Sequence, residues 1–354
     1  MKLFVLARYD RLGASSRLRS MQFLPWLKRA GITCEVQALF SDEMLHTKYR
    51  TGRYGLLLTV DAYARRIWQL IHRHKFDLIY IEKEALPWLP VQIEKALLSG
   101  VPYALDFDDA VFHNYDLNHS AWARRLLGRR LDDLMSGARL VTVGNDYLGR
   151  RARDAGAPWV ELVPTVIDLD RYSVEPRAPE PDGVPRIVWI GSPSTIKYLA
   201  DLGPALASLA QRRAFTLRVI GGELQMPGVD VECVEWSEDS EVRSISDCDV
   251  GIMPLTDSPW ERGKCGYKLI QYMACSLPVV ASPVGVNVQI VEEGVNGFLA
   301  GDSDTWITRL EQLLSDPAMR GNMGSIGRRK VETDYCVQRV APRLISLLRK
   351  AGTT

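Results

Sequence analysis

The sequence predicts an α/β protein built from two doubly wound, Rossmann-like domains. Three observations carry this. A length of 354 residues suits two domains, at roughly 100–200 residues each. Short apolar runs alternate with amphipathic stretches, the pattern of βαβ units and parallel sheets. The alternation stops once, at Ser173–Pro185 (SVEPRAPEPDGVP), and then restarts. Four prolines and one glycine there, with no apolar periodicity, mark an interdomain linker. The expected layout is an N-terminal domain at 1–168, a linker at 169–185, a C-terminal domain at 186–335 and a final helix at 336–354. Packing of that helix back on the N-terminal domain is one option.

The elements follow in order. The first domain offers strands at Leu3–Ala7, Cys34–Ala38, Leu78–Ile81, Tyr103–Asp106, Leu140–Val143 and Val160–Val163. Between them lie helical stretches at Arg17–Ala30, with a kink at Pro25, at Tyr63–His74 and at Trp122–Met135. In the last, Leu126, Leu127, Leu131 and Leu134 recur at helical spacing. The second domain offers strands at Ile187–Ile190, Thr216–Ile220, Val231–Val234, Val250–Met253 and Val279–Ala281, with helices at 196–212 and 267–275. Helices at 304–315, 317–331 and 336–350 close the chain.

Composition fits an ordinary globular protein, with 46% hydrophobic and 25% charged residues. The net charge is +1. Residues 1–165 hold 24 Lys+Arg against 18 Asp+Glu, and the remainder holds 20 against 25. A basic first half suits an anionic substrate or membrane surface; a surface with no such partner carries this balance equally well. No nucleic-acid partner is expected. The six cysteines form no CxxC and show no metal-ligand spacing with histidine, so buried free thiols and a cytoplasmic setting are expected. The opening MKLFVLARYD reads as a first strand, too short in apolar length for a signal peptide. No apolar run approaches the ~20 residues of a membrane span.

Ligands of doubly wound sheets bind outside the C-terminal ends of the strands, so candidate site residues are sought there. After the first strand, Gly13, Ser15 and Arg17 combine close backbone approach, a helix cap and positive charge. After the fourth strand, Asp106, Asp108 and Asp109 admit three readings: contacts to sugar or acceptor hydroxyls or a base, a capped turn, and a DxD metal site. Glu82-Lys83-Glu84 lines the same edge or forms a solvated turn, and His113 reads as a surface or packing residue. In the second domain, Gly191, Ser192 and Lys197 open a helix in the manner of an anion site. Gly222 and Glu223 form a flexible turn at the same edge, and Trp236 is either a base contact or a structural ring. Pro259–Lys268 (PWERGKCGYK) crowds Glu261, Arg262, Lys264 and Lys268 among two glycines and Tyr267. Lysines at a helix entrance point to a phosphorylated ligand.

On these residues the chain resembles glycosyltransferase family 4, of the GT-B fold. QYMACSLPVVAS, Gly285, Gln289-Ile290-Val291 and Asn296-Gly297-Phe298-Leu299 follow the family's C-terminal signature. The resemblance implies a retaining glycosyltransferase of the hexosyltransferase type, with two Rossmann-like domains facing across a cleft. It implies a nucleotide-diphosphate sugar (UDP- or GDP-) as co-substrate, no metal and no other cofactor. It also implies a glycan or lipid-linked acceptor in bacterial surface polysaccharide synthesis. Lys197 matches the family lysine on the diphosphate, and Ser192 stands where the family has arginine. The family's two glutamates fall on Gly263 and Gln271, with Glu261 two residues from the first. This resembles a subgroup with the signature GKxxYKLxxYMA. Lys264 and Lys268 are then candidates for the missing phosphate contact. No protein nucleophile is implied, since leaving-group stabilisation does much of the work. Two alternatives share the fold: a non-hydrolysing nucleotide-sugar epimerase and a nucleotide-sugar-binding protein without transfer. Location is expected to be cytoplasmic, with Arg50–Lys75 (Arg53, Arg65, Arg66, Arg73, Lys75 and Trp68) either resting on an anionic membrane or forming a core-facing helix with a basic outer face.

Overall fold

A computed structural model describes residues 1–173 and 183–353. Most of the proline-rich stretch read as a linker, 174–182, lies outside the described residues. The chain forms two compact units. The first comprises Met1–Thr165, Arg262–Cys265 and Val340–Thr354; the second comprises Val166–Glu261 and Gly266–Arg339. The C-terminal residues from Val340 onward thus pack with the first unit, as does a four-residue piece of the 259–268 loop.

The first unit holds β1 (Lys2–Tyr9), β2 (Thr33–Phe40), β3 (Leu78–Glu82), β4 (Tyr103–Phe107), β5 (Leu140–Val143) and β6 (Val160–Leu162), in the order β2-β1-β3-β4-β5-β6. Every pairing is parallel. The central strands are buried on both faces, with β3, β4 and β5 covered throughout, which explains their unbroken apolar runs. The order reverses between β1 and β3.

The second unit holds β7 (Arg186–Ile190), β8 (Thr216–Ile220), β9 (Asp230–Val234), β10 (Val250–Met253), β11 (Val279–Ala281) and β12 (Gly297–Leu299), ordered β12-β11-β10-β7-β8-β9. This is the 3-2-1-4-5-6 arrangement of dinucleotide-binding sheets, with its reversal between β7 and β10. Residues alternate between two cores: Ile187 and Trp189 pack on one face, Val188 and Ile190 on the other. At the reversal, pairing stops at Gly251↔Val188. The Tyr272 hydroxyl spans the opening, accepting from Ile190 N (3.0 Å) and donating to Ile252 O (3.2 Å). A Cβ at Gly251 would lie 2.3 Å from the Tyr272 ring, so glycine is required there.

Three helical expectations change. The Arg17–Ala30 stretch divides into Ala14–Arg19 and Leu24–Arg29, with Pro25 in the first turn of the second piece, where no N–H is needed. The Trp122–Met135 stretch breaks at Gly128 into Ala121–Leu127 and Arg130–Gly137. The 196–212 stretch becomes Ile196–Asp201 and Gly203–Ala210. β12, absent from the strands expected from sequence, pairs with β11. Cys233 is exposed, against the expectation of buried thiols, while Cys248 and Cys336 are buried.

Candidate functional site

In the second unit, candidate residues gather where β7 and β8 end. Gly191 donates its N–H to Ile220 O (3.0 Å), and Gly221 donates to Val234 O (2.9 Å) with φ +81°. A Cβ on Gly191 would approach the Trp189 ring to 2.5 Å, and one on Gly222 would approach Ile196 to 2.7 Å. The edge is built for backbone closeness. Ser192 precedes the turn Pro193–Thr195 and shares a hydroxyl hydrogen bond with Ser194 (2.9 Å). Lys197 is exposed, its ammonium 4.9 Å from the Tyr198 ring centre. Lys268 is half-buried, its ammonium 5.3 Å from the Trp189 ring centre. Both arrangements are cation–π contacts. Glu223 is exposed.

Glu261 is buried at 5% exposure and accepts from the hydroxyls of Tyr198 and Ser258. Burial raises its pKa, but those two hydrogen bonds and the Lys197 charge outweigh burial, so its carboxyl sits below the ordinary range. Gly266, in the left-handed region (φ +65°), caps the helix Tyr267–Ala274, whose first turn carries Tyr267 and Lys268. The positive end of that helix dipole lies at these residues. Gln271, which stands where the family has its second glutamate, is 2% exposed, and its amide donates to Tyr172 Oη (3.1 Å). Tyr172 and the Trp236 indole both donate to Glu241 (2.6 and 2.7 Å). Gln271 and Trp236 therefore belong to one largely buried network anchored on Glu241. The sequence reading missed Glu241 and Tyr172; a lone acidic residue in a short amphipathic helix gives no local signal of this role.

In the first unit, charge concentrates where β1, β3 and β4 end. Asp106, for which sequence left substrate contact, a capped turn and a metal site open, is fully buried: Arg19 grips both its oxygens (2.9 and 2.6 Å) and Thr142 donates to one (2.6 Å). It fixes the strand edge, with both its oxygens engaged. Glu82, Lys83 and Glu84, read as lining the edge or as a solvated turn, are buried at 0, 4 and 2% exposure. Lys83 takes φ +65°, a strained state for a residue with a side chain. Its ammonium reaches Asp108 (2.9 Å), Ser15 Oγ (2.8 Å) and, farther, Glu82 (3.8 Å). Ser15 in turn donates to Asp108. Burial pushes the Asp108 carboxyl up, but Lys83 and Arg19 outweigh it and hold its pKa at about 2. Gly13 begins the helix Ala14–Arg19, and a Cβ there would strike the Tyr9 side chain at 2.3 Å. Arg17 is buried and donates to Arg11 O (2.8 Å).

The 259–268 loop does not act as one piece. Glu261 and Gly266 onward pack with the second unit, Arg262–Cys265 with the first. Lys264 pairs with Asp109 (3.0 Å), and Asn145 donates to the carbonyls of Gly263 and Lys264 (2.9 Å each). Cys265 donates to Asp108 O (3.0 Å), and Gly263 packs against Ala110, where a Cβ would stand 2.5 Å away. Asn145 was missed; its place as helix cap after β5, accepting from Leu148 N, is the signal that marks it. His113 bridges Asp116 and Tyr147 (2.8 Å each), a packing role. Among the described residues, no group of three or more His, Cys, Asp or Glu is placed to hold a metal ion.

Comparison with known proteins agrees with this architecture. Residues 184–316 match the model of the family Glycosyl transferases group 1. Spore coat protein SA of Bacillus subtilis (strain 168) is 36% identical over 81 residues, 22% of each chain. The match thus spans about a fifth of that relative. Sucrose-phosphate synthase of Thermosynechococcus elongatus superposes with a TM-score of 0.74 at 16% identity, over 99% of this chain and 98% of that one. HepE of Anabaena, solved in complex with UDP-glucose, gives 0.71 at 17% identity, over 99% and 100%. WaaG, a glycosyltransferase involved in lipopolysaccharide biosynthesis, gives 0.68 at 14% identity, over 98% and 99%. At these identities the structural likeness is one of fold. Residues 184–316 match the Glycosyl transferases group 1 domain, and the chain has the two-sheet GT-B fold of these solved structures.

Proposed function

We propose that the protein moves a sugar, with retention at the anomeric carbon, from a UDP- or GDP-sugar to a glycan or lipid-linked acceptor in bacterial surface polysaccharide synthesis. The observation that carries this is the edge of the second sheet: Lys197 and Lys268, partnered by aromatic rings, stand beside close-packing glycines within the matched 184–316 segment. Cations and a helix start so arranged offset charge developing on a departing diphosphate. HepE, solved with UDP-glucose, has the same fold, which favours UDP as the nucleotide. No nucleophilic side chain is assigned; the leaving diphosphate oxygen takes the acceptor proton. Of the four carboxylates considered, Asp109 has the most solvent reach, at 25% side-chain exposure, and is the one proposed to orient an acceptor hydroxyl.

The test is nucleotide release from UDP- and GDP-sugars, with and without glycan acceptors, and the anomeric configuration of the product by NMR. Acceptor-dependent release with retention is expected. Conversion of the donor to another nucleotide sugar without acceptor would replace transfer by epimerisation. Because Asp106 and Asp108 are already held by Arg19 and Lys83, EDTA is expected to leave the rate unchanged; loss restored by Mn²⁺ would contradict that.

A further inference from the structure

The helix Ala121–Leu127 has no buried residue. Trp122 is 73% exposed and Leu126, one turn on along the same face, is 72% exposed; Leu117 just before the helix is 56% exposed. Folded proteins rarely present large apolar side chains in a cluster to water without a use for them. Arg124, Arg125 and Arg129 stand exposed among them, and no acidic residue occurs from Leu117 to Leu131. Of the flanking carboxylates, Asp116 pairs with His113 and Arg151, and Asp132 with Arg151. Arg124 turns to the carbonyls of Asn118 and His119 and keeps its charge uncompensated. Arg125 and Arg129 make no ion pair among the described residues.

We infer that this helix docks the protein on an anionic lipid bilayer, Trp122, Leu126 and Leu117 entering the headgroup boundary and the three arginines meeting lipid phosphates. An indole suits that boundary because one end is apolar and the other polar, and a basic rim around an apolar face is complementary to an anionic surface. The Arg50–Lys75 segment, read from sequence as either membrane-facing or a core-facing helix with a basic outer face, has part of its charge absorbed. Arg66 is fully buried, donating to Ala7 O and Gln37 O (2.8 and 3.1 Å). Arg65 pairs with Asp61, Lys75 pairs with Glu35, and Arg73 donates to Ser99 O. That segment keeps exposed apolar side chains at Leu56, Leu57, Val60, Trp68 and Ile71 and charge at Arg53 and Arg73, but unlike 117–131 it carries an acidic residue, Asp61, among them, and the variants below separate the two. The inference needs neither nucleotide nor sugar, so it stands or falls apart from the donor reading.

The experiment is co-sedimentation of the full chain with vesicles of phosphatidylcholine alone or with a third phosphatidylglycerol. Binding to the anionic vesicles is expected to exceed binding to neutral ones by about tenfold or more and to fall as salt is raised. The variants Trp122→Ser/Leu126→Ser and Arg125→Glu/Arg129→Glu should each lose about tenfold in binding, with melting temperature and UDP-induced stabilisation unchanged. The charge variant carries the test alone if the apolar one fails to fold. Three results would overturn the inference: equal binding to both vesicles or none, loss of binding with Leu57→Ser but not with the Trp122 pair, or lipid-free dimerisation that depends on Trp122.

Discussion

Both sheets are six-stranded and parallel with different strand orders, and their C-terminal edges are finished in opposite ways. In the first unit the cations at strand ends are neutralised within the fold: Arg19 by Asp106, Lys83 by Asp108, and Arg130 by Glu84 and Glu94. In the second unit the strand ends carry glycines, and the nearby lysines lean on Tyr198 and Trp189 rings. A carboxylate partner neutralises a cation; the rings beside Lys197 and Lys268 carry no formal charge, and Lys197 also stabilises the Glu261 carboxylate. The first edge is thus a self-contained frame of ion pairs, and the second, with its glycines and lysines, is the one we propose for the diphosphate.

Breaking the first frame should have the largest effect. Asp106→Asn leaves Arg19 buried without its anion, and a loss of about 3–5 kcal/mol in urea denaturation is expected; a loss below about 1 kcal/mol would remove the pair from the account. Next is acid sensitivity. The Asp108 pKa lies near 2, below its ordinary 3.8, so its ionised form adds stability that is present above about pH 4 and lost as pH falls through 2. Asp108→Asn should remove about 2 kcal/mol of that pH dependence, read from denaturation curves between pH 5 and 2. A parallel pH profile for variant and parent would contradict it. The smallest effect is kinetic. The Cys265 thiol is pushed far above its usual range by burial and Asp108, and Cys275 up to about 12 by burial. Thiolate supply sets alkylation, so exposed Cys233 should label first by mass spectrometry; earlier labelling of Cys265 would show that its segment opens.

Much of this contrast was visible in the chain. Strand runs such as Leu140–Val143, Thr216–Ile220 and Val250–Met253 coincide with β5, β8 and β10, because strands buried on both faces must be continuously apolar. Glu82-Lys83-Glu84 looked equally like solvent-facing charge because its partners, Ser15, Asp108 and Arg130, come from 25 to 68 positions away and only the fold supplies them. Gln271 looked like a ligand contact for the same reason: Tyr172, which it meets, lies 99 residues earlier. The outward turn of Trp122 and Leu126 was hidden by helical spacing shared with Leu131 and Leu134, until Gly128 divided the helix. The division of PWERGKCGYK between two units leaves no trace in local sequence at all.

The difference between the edges is tested most directly by titrating UDP into the parent and the variants Lys197→Ala, Lys268→Ala and Lys264→Ala by calorimetry. Lys264 is the control, since Asp109 already offsets its charge. The account predicts about tenfold weaker binding for Lys197→Ala and Lys268→Ala, about 1.4 kcal/mol each, and a change of no more than about threefold for Lys264→Ala, under about 0.7 kcal/mol. Unchanged affinity in the first two, or a larger loss in the third, would contradict it.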